Sequence, residues 1–198
     1  TKADIDWNPT TFGFDLDASQ NGTLVKFSHI NWQEDNTQTI IEKINLSDSF
    51  PGVLDEIMGT KCYLFGVHKE DKLRGKVKEV LAKRDGAICL GTIDGAVWIT
   101  HLKEPEAFKL PATYVLKDKI AGIKEHRITL LFDKSYDTFY EISAEKRENV
   151  AYLYFNFHNG AMSAQQCIKL KYAFEYLKEE NKGEIEGLNL GISSSYIV

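Results

Sequence analysis

The run Asn159-Gly160-Ala161-Met162-Ser163 comes nearest to chemistry in this sequence. It follows an alternating apolar run and precedes residues at helical spacing, so a glycine turn there delivers the chain into a helix start. A helix start leaves backbone N–H groups without intrahelical partners and carries the positive end of the helix dipole. That makes Ala161, with Asn159 and Gly160, an oxyanion-type candidate: an outward N–H that meets an anion or a polarised carbonyl. One such donor is worth about 2.7–4 kcal/mol of transition-state stabilisation, and a complete hole uses two. The same residues also read as a well-capped helix. Ser163 and Gln166 make a capping box, and Met162 with Cys167 makes a hydrophobic staple.

His158, beside this turn, and His68 have the type of a general base, but no carboxylate stands at a readable spacing from either. Both read as surface or core histidines. Cys167 falls on the apolar face of the expected helix and Cys89 in mid-strand, so both are expected to pack. Cys62, Cys89 and Cys167 lie far apart without a C-x-x-C, which points to reduced thiols and a cytoplasmic protein. Five scattered histidines supply no metal-ligand pair. Gly187-x-x-x-Gly191 is too sparse to mark a phosphate loop. Asn21-Gly22-Thr23 and Asn45-Leu46-Ser47 match a glycosylation pattern that a cytoplasmic chain leaves unmodified.

The 198 residues carry a net charge of -5, unevenly placed. Residues 31–60 hold one basic and six acidic side chains, whereas 61–84 hold eight basic and three acidic ones. Lys72, Arg74, Lys76 and Lys78 alternate, and on a strand they would line one face. With Trp32, Trp98 and Tyr63 as stacking surfaces, that face fits an RNA-binding barrel. It equally fits a plain solvated strand, and in an acidic chain nucleic acid is not expected as a partner. No apolar stretch approaches the roughly 20 residues of a membrane helix, and the first residues, TKADIDWNPT, have no signal-peptide character.

Several elements must position these residues. Asn21-Gly22 between two alternating runs reads as a hairpin within 1–30. Residues 36–44 read as a short helix capped by Asn36 or Thr37, with Ile40, Ile41 and Ile44 on one face. CYLFGV at 62–67 is a strand. KVKEVLAKR, AICLGTI and AVWITHL, joined by Asp85-Gly86 and Asp94-Gly95, predict an antiparallel meander over 76–102 with two tight type I′ turns. Pro105 and Pro111 mark an extended linker, and 126–132 a further strand. DTFYEIS and NVAYLYFNF flank AEKRE as a hairpin with a long loop. A helix over about 164–180 and a strand within EIEGLNLGI follow.

INWQEDNTQTIIEKINLSDSFPGV and the strands after it resemble the C-terminal domain of formyl-tetrahydrofolate-dependent formyltransferases, through Ile30, Trp32, the helix 36–44 and Pro51-Gly52. DGAVWITHLK, KLPATYVL and YLYFNFHNGAMSAQQCIKL resemble the hydrogenase maturation family HypX, also called HoxX. That family joins a formyltransferase-like half to a crotonase-like (enoyl-CoA hydratase/isomerase) half. The resemblance implies formyl-tetrahydrofolate and coenzyme A as the family's cofactors, and one thioester-oxyanion donor near Ala161. The chain departs from the family in two places. The formyl-transfer Asn/His/Asp set has no counterpart here, and EGLNLGISSSYIV does not resemble the loop that supplies a second oxyanion donor.

The expected fold is α+β, a small OB-like antiparallel β-barrel followed by a truncated crotonase-like β-β-α-β unit. The expected divisions are an N-terminal hairpin segment 1–30, a formyltransferase C-terminal-like barrel 31–104, a linker 105–136 and a partial crotonase-like unit 137–198. The expected role is that of an internal piece or short relative of a HypX-like protein, supporting formyl and coenzyme A chemistry without being catalytic alone. No cofactor is expected for this chain by itself. Its expected partners are missing catalytic domains or hydrogenase maturation proteins. An RNA- or protein-binding OB-like module and a small acyl-CoA hydratase/isomerase-like enzyme stand as the alternatives.

Overall fold

The computed structural model describes residues 29–48, 52–131, 134–158, 162–180, 182 and 187–192. The expected hairpin at Asn21-Gly22, the turn residues Asn159, Gly160 and Ala161, and the tail after 192 lie outside them.

Helix α1 (Thr37–Leu46) starts where Asn36 Oδ1 accepts the Thr39 amide at 2.8 Å, the N-cap expected from sequence. Ile40 and Ile44 are fully buried on one face. A tie from far along the chain fixes the helix start: the Thr37 amide and hydroxyl both donate to Asp94 Oδ1, at 2.8 and 2.7 Å.

Strands β1 (Val53–Ile57), β2 (Thr60–Glu70), β3 (Val80–Arg84), β4 (Ala87–Gly91), β5 (Ala96–Lys103) and β6 (Leu110–Pro111) form one antiparallel sheet of order β1-β2-β5-β4-β3, with β6 against β5. The meander β3-β4-β5 is as expected, but its two turns differ. Arg84 pairs with Ala87, and Asp85 (φ 47°) with Gly86 (φ 83°) forms the expected left-handed pair. Gly91 pairs with Ala96, so the second connection is a four-residue loop, Thr92–Gly95. Gly95 is not left-handed. The Asp94 carboxylate is occupied by Thr37, and the loop wraps around that anchor instead of tightening. The expected barrel is an open sheet, because β1 and β3 are its edges and do not pair with each other.

Side-chain alternation gives the sheet two covered faces. Ile40 and Ile44 pack with Val53, Leu64, Ile88 and Val97 on one. Cys89 and Trp98 pack with Phe139 on the other. Helix α2 (Ala112–Leu116) and a 3-10 turn (Lys117–Ile120) bury Ala112, Leu116 and Ile120 against the first face. The strand expected at 126–132 reduces, among the described residues, to one bridge between Leu131 and Ala144. Before it, residues 124–126 run along β3: the Lys83 amide donates to Lys124 O (3.1 Å) and the His126 amide to Lys83 O (2.9 Å).

A second sheet holds β7 (Ile142–Arg147), β8 (Val150–Phe155) and β9 (Gly187–Ile192). The run AEKR, expected in a loop, belongs to β7, and Arg147 pairs with Val150 across a two-residue turn. Its charges stay in a strand because they find partners: Tyr154 donates to Glu145 at 2.7 Å and Arg147 ion-pairs with Glu145. Strand β9 runs parallel to β8, a pairing that requires a crossover. Helix α3 (Ala164–Glu180) is that crossover and buries Leu177 with Leu153 and Ala144. The fold is α+β.

Candidate functional site

A groove of about 1340 Å³ opens between the two sheets. Its lips are the β3–β4 turn, the stretch Lys109–Tyr114 and the start of α3.

At one corner, three basic groups from distant parts of the chain meet. His101 lies on β5, Lys109 just before β6, and His158 just beyond β8. The two imidazoles stack with centroids 4.2 Å apart. Lys109 Nζ lies 3.3 Å from His158 Nε2 and 3.8 Å from the centre of the Phe65 ring. The contact lies within hydrogen-bond reach, so a proton can be shared between Lys109 Nζ and His158 Nε2. His101 Nδ1 lies 2.9 Å from Thr100 Oγ1. Close approach depends on Gly66 (φ 66°), where a Cβ would stand 2.0 Å from Thr100 Oγ1 and 3.2 Å from His158 Nδ1.

Burial, then the neighbouring His158 and Lys109, lower the His101 pKa to about 3. Burial and then Lys109 lower that of His158, against the pull of Asp48. Burial also lowers Lys109, with Lys103 adding to it and Asp48 opposing. His68, 5.0 Å from Phe139, is lowered to about 4 by burial and then by His158. Burial therefore keeps these imidazoles in the neutral form.

At the opposite lip the expected capping box is present. The Ser163 amide donates to Gln166 Oε1 (2.8 Å) and the Gln166 amide to Ser163 Oγ (3.2 Å). Gln166 then reaches Glu141 Oε1 at 2.6 Å, and Lys169 joins Glu141 (2.7 Å) to Asp85 (2.9 Å). This latch ties α3 to the β3–β4 turn and holds the groove's width.

The oxyanion candidate Ala161, with Asn159 and Gly160, falls outside the described residues, although His158, Met162 and Ser163 on either side line the groove. Gly187 and Gly191 are strand residues of β9, paired with Val150 and Tyr154. Lys72, Arg74, Lys76 and Lys78 do not form a stripe, because 71–79 is a loop between β2 and β3. Lys72 sits 3.4 Å over the Tyr136 ring, Arg74 donates to Glu70 O and Leu73 O, and Lys78 ion-pairs with Asp55 at 2.6 Å. Trp32 and Trp98 are buried, their indoles bonded to Asp55 and Glu70, so neither offers a face to a base. Cys167, expected to pack, is exposed beside Met162, with its Sγ 3.2 Å from Met162 Sδ. Cys62 and Cys89 are buried. Burial pushes the Cys62 thiol up to about 11 and raises Cys89 as well, which leaves both inert. Among the described residues no three His, Cys, Asp or Glu side chains gather as a metal site, and no helix is long and apolar enough to cross a membrane.

Residues 25–119 match the formyl transferase C-terminal domain family. The hydrogenase maturation factor HoxX of Bradyrhizobium diazoefficiens is 35% identical over 147 residues, 73% of this chain. The crystal structure of HypX from Aquifex aeolicus in complex with tetrahydrofolic acid superimposes with a TM-score of 0.77 at 39% identity over 84% of this chain. This chain belongs to the HypX/HoxX family. A multiply substituted variant of the same Aquifex aeolicus HypX agrees equally well, with a TM-score of 0.76. The chain spans 25% of the HoxX relative and 29–30% of these HypX chains. It corresponds to a segment of those HypX and HoxX proteins.

Proposed function

We propose that this chain is the connecting segment of a HypX-like hydrogenase maturation protein. In this reading a formyltransferase-type unit over 31–104 passes through 105–136 into a crotonase-like unit over 137–198. The groove between them lends a protected surface to one-carbon chemistry performed with other parts of such a protein. The carrying observation is the placement of the groove between the formyltransferase-matching sheet and the β8–α3–β9 crossover. An incomplete second unit is supported by an open apolar pocket in which Met162, just before α3, and Cys167 and Phe174 of α3 stay exposed beside Leu190 of β9. Formyl-tetrahydrofolate and coenzyme A are the cofactors of this reading, handled by the whole protein and not by this chain alone. Cytoplasmic location and hydrogenase maturation partners belong to the same reading.

The test has two arms. Incubated with formyl-tetrahydrofolate and coenzyme A, the purified chain releases tetrahydrofolate no faster than buffer. Grafted in place of the matching segment of Aquifex aeolicus HypX, it preserves that protein's activity within about tenfold, about 1.4 kcal/mol. A folded but inactive chimera refutes the reading, as does formyl transfer by the chain alone.

A further inference from the structure

We propose that Lys109 is an acylation site, an amine that takes acyl groups from small activated acyl donors with His158 as the base that receives its proton. Three observations carry this. Lys109 lies on the wall of the groove, open to a ligand there. Its Nζ is already 3.3 Å from His158 Nε2, within reach of a proton transfer. One flank of the amine faces the Phe65 ring rather than water.

The charged and titratable groups around it come from several elements. His158 and His101 touch or border it, Lys103 on β5 adds positive charge, and Asp48 beyond α1 is the opposing carboxylate. Burial, helped by the charge of Lys103 and opposed by Asp48, lowers the Lys109 pKa and so shifts it toward the neutral amine, the nucleophilic form.

The step balances without an oxidant or metal. The Lys109 nitrogen attacks the acyl carbon, a C–N bond forms, and the bond from that carbon to sulfur or phosphate oxygen breaks. The amine proton passes to His158 Nε2 and from there to the departing thiolate or phosphate. A thioester and an acyl phosphate share this chemistry. The inference does not depend on the connecting role above, because any folded copy of the chain presents the same amine.

The test is competitive labelling of the folded chain with a limiting amount of one donor, the acetyl thioester of N-acetylcysteamine or acetyl phosphate in separate arms. Acetyl occupancy is read by peptide mass spectrometry. Lys171, whose side chain is 70% exposed, and the exposed Lys124 serve as internal references. With at least one donor, Lys109 is expected to react about tenfold faster than either reference, below the roughly hundredfold of a fully organised general base. The donor that gives the larger ratio identifies the class. His158→Gln keeps an acceptor but no base, and is expected to bring Lys109 down to the reference rate while Lys171 and Lys124 do not change. The proposal is overturned if Lys109 reacts no faster than the references with both donors, or if a folded His158→Gln labels as the parent does. Should that variant not fold, the ratio in the parent chain decides.

Discussion

Arg84→Met removes the hub that holds His126, Thr138 and Phe139 against the back of the first sheet. Arg84 is 2% exposed, and its guanidinium lies 4.4 Å over the Trp98 ring. Nε donates to His126 O at 2.6 Å, and Nη1 donates to Thr138 Oγ1 at 2.9 Å and to Phe139 O. Nη2 lies 2.7 Å from His126 Nδ1. Methionine fills similar space but leaves two carbonyls without this donor, at about 1–3 kcal/mol each. It also takes a positive charge away from the buried Glu70 carboxylate, which then relies on Trp98 and Thr138 and on the amides of Lys72 and Leu73. Breaking a buried charge network of this kind costs about 3–5 kcal/mol. At ~2–4 °C per kcal/mol, Tm falls by roughly 10 °C. Urea unfolding followed by tryptophan fluorescence measures the loss, and amide exchange at His126, which donates to Lys83 O, reports whether the segment has come away. A loss under about 1 kcal/mol with His126 still protected refutes the assignment of Arg84 as the hub.

Acid is expected to destabilise the fold in two stages. His68, His101 and His158 have folded pKa values below the ordinary 6.5, so their contribution to stability is full above that value and is lost as pH falls below it, for His68 toward about 4 and for His101 toward about 3. Glu70 adds a second loss below about pH 4.5. Burial raises its pKa, but the hydrogen bonds it accepts outweigh burial and hold it low. Melting curves from pH 8 to 4 check this, and a flat Tm between 7 and 5 contradicts the first stage. Gly86→Val, at φ 83° with a Cβ 3.0 Å from Pro111 Cβ, is expected to cost about 1–3 kcal/mol by urea titration. Gly95→Val is expected to destabilise for a different reason: its Cβ would stand 2.8 Å from Thr37 Oγ1, so the accompanying change is fraying of α1 seen by circular dichroism. Transfer RNA is expected to show no salt-sensitive binding in a filter assay, since the basic residues 72–78 are dispersed and partly engaged.

What the sequence made legible was local. Asn36, Ser163 and Gln166 announce their helices because a cap lies within three residues of the group it satisfies. Asp85-Gly86 announces its turn because the left-handed angles are a property of those two residues. Asp94-Gly95 has the same letters, but Thr37, 57 positions away, takes the Asp94 carboxylate and opens the loop. The alternating lysines of 72–78 looked like a strand, yet Gly75 and the left-handed Lys78 (φ 64°) interrupt any pleat. The run AEKR looked like a loop because isolated charges avoid strands, and its ion pair and the Tyr154 bond are visible only once β7 faces β8. The groove corner had no signature at all. His101, Lys109 and His158 meet through sheet pairing and the packing of one sheet on the other, and no spacing in the sequence encodes that.

The strip of chain at 124–126 along β3 bears on solubility. A bare strand edge is a template for another chain, and proteins blunt such edges by covering or charging them. Here Lys83 of β3 gives its amide to Lys124 O and its carbonyl to the His126 amide, so the covering strip interrupts the free ladder of that edge. The opposite edge, β1, is five residues long and carries Asp55 and Glu56. A nick or deletion within 121–126 would strip the cover from Val80–Arg84 and turn a finished rim into an adhesive one. The folded sheet would keep its core and lose its solubility, so the visible symptom of damage in that strip is edge-to-edge association before any loss of secondary structure.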